Sequence, residues 1–154
     1  MKSIALRFSD SFAPPDGTIK AHEEILAQYG QVWYGKLGST LASSTIADVL
    51  ENDEPRILLI HSGRSERYWA FVSAIQKNTP PLELIPQYYR ENAENFHCWF
   101  LITRFELAEK DVMSKCEVPS SKNSLSMVSR YSMSPYFRIL WNNEEALSED
   151  ELHD

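Results

Sequence analysis

Two dipeptides set a potential base beside a potential nucleophile, His61-Ser62 and His97-Cys98. Neighbours on an extended strand point to opposite faces, so neither pair can make the hydrogen bond that activates a nucleophile unless its segment is a turn. The four histidines, at 22, 61, 97 and 153, have no metal-ligand spacing. Cys98 and Cys116 lack the close pairing of a zinc or redox site. Phosphate loops ending in Lys-Ser or Lys-Thr, His-Glu-x-x-His pairs and Gly-x-Ser-x-Gly elbows are all missing. Neither a cofactor nor a metal is expected, and the reading favours a binding module over an enzyme.

The chemistry that remains is aromatic and basic. Trp33, Tyr34, Trp69, Tyr88, Tyr89, Tyr131 and Tyr136 stand near expected strand ends or loops, where rings can line a pocket mouth. Aromatic faces hold planar bases, each stacked base being worth ~1–3 kcal/mol. Most such rings simply fill a core. Trp69, in mid-strand, is expected there, whereas Trp33 and Tyr34, just before the small-residue loop 38–44, are the expected exceptions. Arg56 to Lys77 and Lys110 to Arg138 each carry a net charge of +3. Within and beside them Lys36, Arg64, Arg67, Lys115, Lys122 and Arg130 are the expected phosphate partners. The second segment overlaps Ser114 to Ser134, with 8 serines in 21 residues, whose hydroxyls and amides suit phosphate oxygens as well as they suit a solvated loop.

Net charge, −7, argues at first against a polyanionic partner. Its distribution weakens that argument. Six of the seven excess negative charges lie in residues 142–154, which are expected to form an acidic, flexible tail, and residues 1–141 stand at −1. At 154 residues, 43% hydrophobic and 24% charged, the chain suits one domain with one core. No apolar run is long enough to span a bilayer and no targeting signal is visible, so a cytoplasmic protein is expected.

The elements that would position these residues can be read in order. Ile4 to Phe8 predicts a strand, ended by Pro14-Pro15-Asp16-Gly17. Thr18 is expected to cap a helix with Ile19, His22, Ile25, Leu26 and Tyr29 on its apolar face and Gly30 as its stop. A short strand from Gln31 to Lys36 and a helix from Ile46 to Glu51, capped by Ser44 or Thr45, follow. Ile57 to Ile60 is continuously apolar, as a strand covered on both faces must be. Arg67 to Ile75 returns as its hairpin partner, with Trp69, Phe71 and Ile75 on one face. After the prolines at 80, 81 and 86 come a strand from Cys98 to Phe105, a helical turn around Leu125, Met127 and Val128, and a last strand from Tyr136 to Leu140. Five or six strands with short helices between them predict an α+β domain: a small, strongly bent sheet or barrel with helices outside.

Four segments carry a family resemblance. Ser3 to Phe8, Val32-Trp33-Tyr34-Gly35, the apolar strand Ile57-Leu58-Leu59-Ile60-His61-Ser62 and its return from Tyr68 to Ile75 resemble, in order and type, the PUA-like superfamily. Within it they are most similar to the EVE domain, a relative of the YTH and ASCH domains. The Gly-Asp pair usual before the His-Ser strand is replaced here by Glu54-Pro55-Arg56. The resemblance covers roughly the first 140 residues. It implies DNA or RNA as partner, with a flipped, modified base held by Trp33, Ser62 and an aromatic such as Tyr88 or Tyr131. Two alternatives stay open: an ASCH-like hydrolase or nuclease built on His61, Lys115, Glu117 or Tyr131, and a protein-interaction domain.

Overall fold

The computed structural model describes residues 1–142. The eight strands are β1 (Lys2–Phe8), β2 (Val32–Lys36), β3 (Arg56–His61), β4 (Arg67–Gln76), β5 (Cys98–Leu107), β6 (Cys116–Val118), β7 (Asn123–Ser124) and β8 (Tyr136–Trp141). They form one mixed sheet in the order β2-β5-β4-β3-β1-β8-β6-β7. The α-helices are α1 (Thr18–Tyr29), α2 (Ser43–Leu50) and α3 (Leu125–Tyr131), and 3-10 helices run over Leu82–Leu84, Gln87–Asn95 and Val112–Lys115. The expected α+β class holds. Strands β6 and β7 add to the five or six expected, because two or three residues are too few to show an alternation.

Residues 57–60 of β3 are buried on both faces, and the strand lies between β1, to which it is parallel, and β4, to which it is antiparallel. Its continuous apolar run is what such a position demands. The sheet bends hard around one core, where Ile4, Leu6 and Phe8 of β1 meet Ile57, Leu59, Val72, Phe100, Ile102 and Tyr34. Strands β2 and β8 stand five spacings apart, about 24 Å in a flat sheet. Yet the Lys36 ammonium of β2 lies 5.0 Å from the Tyr136 ring of β8. The edge strand is folded back over the interior.

Beyond the sheet's outer faces lie two smaller clusters. Trp69, Phe71, Phe137 and Ile139 are covered by Val112, Val118 and Leu125, while Trp33 and Trp99 are covered by Ile85, Ala93 and Phe96. The register of β4 shifts between Phe71 and Val72 and again between Val72 and Ala74. Such irregularities reverse the side-chain phase. Ile75, expected on the face of Trp69 and Phe71, therefore packs in the interior with Ala70 and Val72.

Local chemistry fixes α1 differently from expectation. Thr18 is its first helical residue rather than its cap, and the cap comes from a distance: Asp10 Oδ1 accepts the Thr18 N–H at 2.9 Å. Gly30 ends α1 in the left-handed conformation, φ +77°, and donates its N–H to the Leu26 carbonyl. Helix α2 starts at Ser43, with neither Ser44 nor Thr45 as its cap. No described helix is long and apolar enough to cross a membrane. The acidic stretch expected as a tail lies, apart from Asn142, outside the described residues.

Candidate nucleic-acid interface

Where β2 folds back across β1, a cavity of about 480 Å³ opens. That is within the usual size of a small-molecule site, ~300–1,000 Å³. Leu6, Arg7 and Phe8 supply one wall from the end of β1, and Tyr34, Gly35 and Lys36 of β2, with Leu37 just beyond it, supply another. The third wall comes from the 3-10 helix Gln87–Asn95, through Tyr88, Tyr89, Asn92 and Asn95, with Phe96 just beyond it. Ser9, Phe12, Thr18 and Pro135 complete the mouth. The segment kinks at Asn92, where the backbone leaves helical geometry (φ −113°, ψ 16°), and residues on both sides of the kink reach the cavity.

The wall is an aromatic surface. Tyr88 and Tyr89 lie 4.5 Å apart between centroids and Tyr89 and Phe96 5.0 Å apart, both tilted. Behind them His22 is fully buried against Tyr34 at 4.9 Å, and its Nδ1 donates to the Thr18 carbonyl at 2.8 Å. Burial pushes His22 down to about 4, so the imidazole is neutral at pH 7. The phenols of Tyr34, Tyr88 and Tyr89 are pushed up by burial and stay protonated. The Tyr88 hydroxyl is buried and has no hydrogen-bond partner of acceptable geometry. Its nearest polar neighbours are the side chains of Thr18 and Tyr89, and a buried hydroxyl so poorly satisfied on a pocket wall is a group a ligand can engage.

Only cations bring formal charge to the lining. Lys36 is buried at β2's end, where Nζ donates to the carbonyls of Leu37 at 3.2 Å and Ser39 at 2.7 Å. Burial lowers its pKa, and its remaining N–H keeps donor capacity. Arg7 is half-buried and donates to the carbonyls of Ser129, Ser132 and Ser134 at 2.7, 2.8 and 3.0 Å, strapping residues 129–134 beside the mouth. No carboxylate lines the cavity. Asp10 directs one oxygen at Thr18 and the other at His61 Nε2, 2.6 Å away. Among the described residues no group of three or more His, Cys, Asp or Glu comes together as a metal site.

Of the residues singled out from sequence, Tyr34, Tyr88, Tyr89 and Lys36 line this cavity. Trp33 does not. It is 6% exposed and packs on the opposite face of β2 with Ile85, Ala93, Phe96 and Trp99. Adjacent strand residues cannot share a face, so the choice of Tyr34 for the wall turns Trp33 away. Ser62 is exposed and donates to the Phe8 carbonyl at 2.9 Å, bracing a wall residue without lining the wall. Tyr131, 85% exposed at the end of α3, is not in the lining either.

The expected phosphate partners also divide. Arg64, Lys122 and Arg130 are exposed. Arg67 is spent on the carbonyls of Arg64 and Glu66, at 2.8 and 2.9 Å, and Lys115 pairs with Glu109 at 2.9 Å and Asp111 at 3.6 Å. His61 accepts the Gly63 N–H at Nδ1 and donates to Asp10 through Nε2, so both ring nitrogens are engaged. Sequence reasoning passed over Arg7, Phe8, Phe12, Asn92 and Asn95. No spacing marked the last two, because the 87–95 segment kinks at Asn92.

A family model described as Pua-like matches residues 4–152. The chain belongs to the Pua-like family. Domains of this family generally bind RNA or other nucleic acid. No curated protein and no solved structure matches this Pua-like chain.

Proposed function

We propose that this Pua-like domain binds nucleic acid by receiving one extruded base in the cavity between β1, β2 and the 87–95 helix. One observation carries the reading: a 480 Å³ cavity walled by Phe8, Tyr34, Tyr88, Tyr89 and Phe96, in which the only charged residues are Arg7 and Lys36. Cages for organic cations use the same rings but gain from a carboxylate, and here there is none. A neutral planar ligand attached to an anionic backbone matches both the rings and the charge. Extrusion costs a few kcal/mol, which stacking and rim cations offset.

The polar groups add detail. Asn92 and Asn95 each offer a donor and an acceptor, the Tyr88 hydroxyl offers either, and Lys36 offers a donor. A methylated or otherwise modified base, with an apolar patch and a hydrogen-bonding edge, would use both kinds of wall. The segments Val32–Gly35 and Ile57–Ser62 support an EVE-like place within the family, acting in the cytoplasm. We take residues 1–141 as the binding unit and 142–154 as an acidic appendage.

Calorimetric titration of the full chain with nucleosides, modified nucleosides and short oligonucleotides tests the proposal. Oligonucleotide affinity should fall as salt rises, and Tyr88→Ala and Lys36→Met should each weaken nucleoside binding about tenfold or more. The reading fails if neither nucleosides nor oligonucleotides bind, or if both variants bind like the parent chain.

A further inference from the structure

Phe12 is a large apolar side chain that the fold does not use. It is 88% exposed, yet it lines the mouth of the cavity. Its backbone is held firmly. Residues 10–13 close a turn through the Ala13 N–H to the Asp10 carbonyl, at 3.1 Å, and the Ser11 N–H is held by Ser9 Oγ, also at 3.1 Å. Asp10, at the base of that turn, is bound to both α1 and β3 through Thr18 and His61. Pro14-Pro15 and a second turn, from the Gly17 N–H to the Pro14 carbonyl at 2.8 Å, stiffen its exit. A ring kept in water on a pinned turn adds little to stability, and when it meets a partner only its side-chain rotamers remain to be ordered.

Resting on the base-in-pocket reading, we propose that Phe12 stacks on the nucleotide adjoining the extruded one, so that the domain reads a base together with its neighbour. Chain connectivity supplies the partner: whatever base enters the cavity brings its flanking nucleotide to the mouth, where the ring stands. The charged residues of the lining are Arg7 and Lys36, and the carboxylate of the turn itself, Asp10, is engaged by Thr18 and His61. Leu37, 65% exposed, forms another part of the rim and can pack against sugar or base. Every base presents a π-face, so the contact adds affinity for polymer over free nucleoside without demanding one sequence.

The test compares a nucleoside with a single-stranded oligonucleotide of about ten residues, a length within the usual single-strand site size. Phe12→Ala should weaken the oligonucleotide about tenfold, several times more than it weakens the nucleoside. Phe12→Trp should restore it, and Phe12→Leu should not. An abasic link beside the bound base should weaken the parent chain and leave Phe12→Ala unaffected. Equal loss for nucleoside and oligonucleotide would make Phe12 merely pocket wall and overturn the proposal. So would unchanged oligonucleotide binding, or a Phe12→Ala effect confined to self-association in sedimentation. If the parent chain binds neither ligand, it is the base-in-pocket reading that falls, and the stacking role with it.

Discussion

Replacing Asp10 by Asn isolates the contact that pins the mouth of the cavity. In the parent chain Oδ1 accepts from Thr18 at 2.9 Å and Oδ2 accepts from His61 Nε2 at 2.6 Å. His61 cannot swap tautomers freely, because its Nδ1 already accepts the Gly63 N–H at 3.0 Å. The asparagine oxygen can keep the helix cap. Its amide then faces Nε2–H, donor against donor. A hydrogen bond to a charged group is worth ~1.5–3 kcal/mol, and the Asp10 side chain is 33% exposed, so solvent screening reduces the loss to about 1–2 kcal/mol. Asp10→Ala also removes the cap and should cost ~1 kcal/mol more.

Urea denaturation measures this as a fall in midpoint at constant slope. In a cycle with His61→Gln, the coupling between positions 10 and 61 should be about 1 kcal/mol or more. The sign with pH is fixed as well. Burial raises the Asp10 carboxyl, but hydrogen bonds from Thr18 and His61 outweigh it and leave the group below its usual 3.8. The carboxylate's contribution is therefore full above 3.8 and is lost as pH falls through the lower folded value, so parent and Asp10→Asn should converge in acid. Additivity within about 0.3 kcal/mol would refute the reasoning, because distant and independent sites behave that way.

Three other perturbations probe the same region. His22, pushed down to about 4 by burial, resists a proton that the unfolded chain accepts near 6.5; stability should drop as pH falls from 6.5 towards 4, by up to roughly 3 kcal/mol, and His22→Gln should flatten that slope in denaturation midpoints. Gly35→Ala would set a methyl group 2.8 Å from Phe96 Cδ1 and 2.9 Å from Trp99 Cζ3, both within packed rings, and should cost about 2 kcal/mol, read as a lowered Tm. Trp33→Ala should cost ~3–5 kcal/mol of stability. The milder Trp33→Phe, which keeps the fold, should leave nucleoside affinity unchanged, since the ring lies behind β2; a loss of affinity at constant Tm would return Trp33 to the site.

The sheet was legible in sequence where one physical rule acts alone. Ile57–Ile60 announces a strand buried on both faces, and Gly30 announces a left-handed helix stop. Where two rules compete, sequence reading slips: alternation in β4 holds from Tyr68 to Val72, and the irregular register then moves Ile75 to the interior. The site was harder for a related reason. Trp33 and Tyr34 are neighbours with similar rings, and alternation guarantees that they part without saying which ring faces the cavity. That choice is made by the bend of the sheet, through contacts between β2 and β8 separated by about a hundred residues of chain. Asp10, which caps α1 from eight residues away, is invisible to a rule that looks for caps beside the helix.

The acidity of the chain decides what kind of binder it can be. An excess of carboxylates acts on the cavity only from within a Debye length, ~8 Å at physiological salt, and no described carboxylate lines it. It does oppose long-range capture of a polyanion, which depends on net charge and on broad basic surfaces. Of the expected phosphate partners, Lys115 is paired with carboxylates, Arg67 is spent on carbonyls, and Arg64, Lys122 and Arg130 are exposed but lie outside the cavity lining. A binder built this way has few phosphate contacts and most of its specific energy in one aromatic hole. Its affinity should therefore fall with salt by a shallow slope, on the order of one to three released counterions, and differ more between bases than between lengths of polymer. A steep slope, with affinity growing steadily with oligonucleotide length and indifferent to the base offered, would show the energy to lie on a basic surface instead of in the cavity.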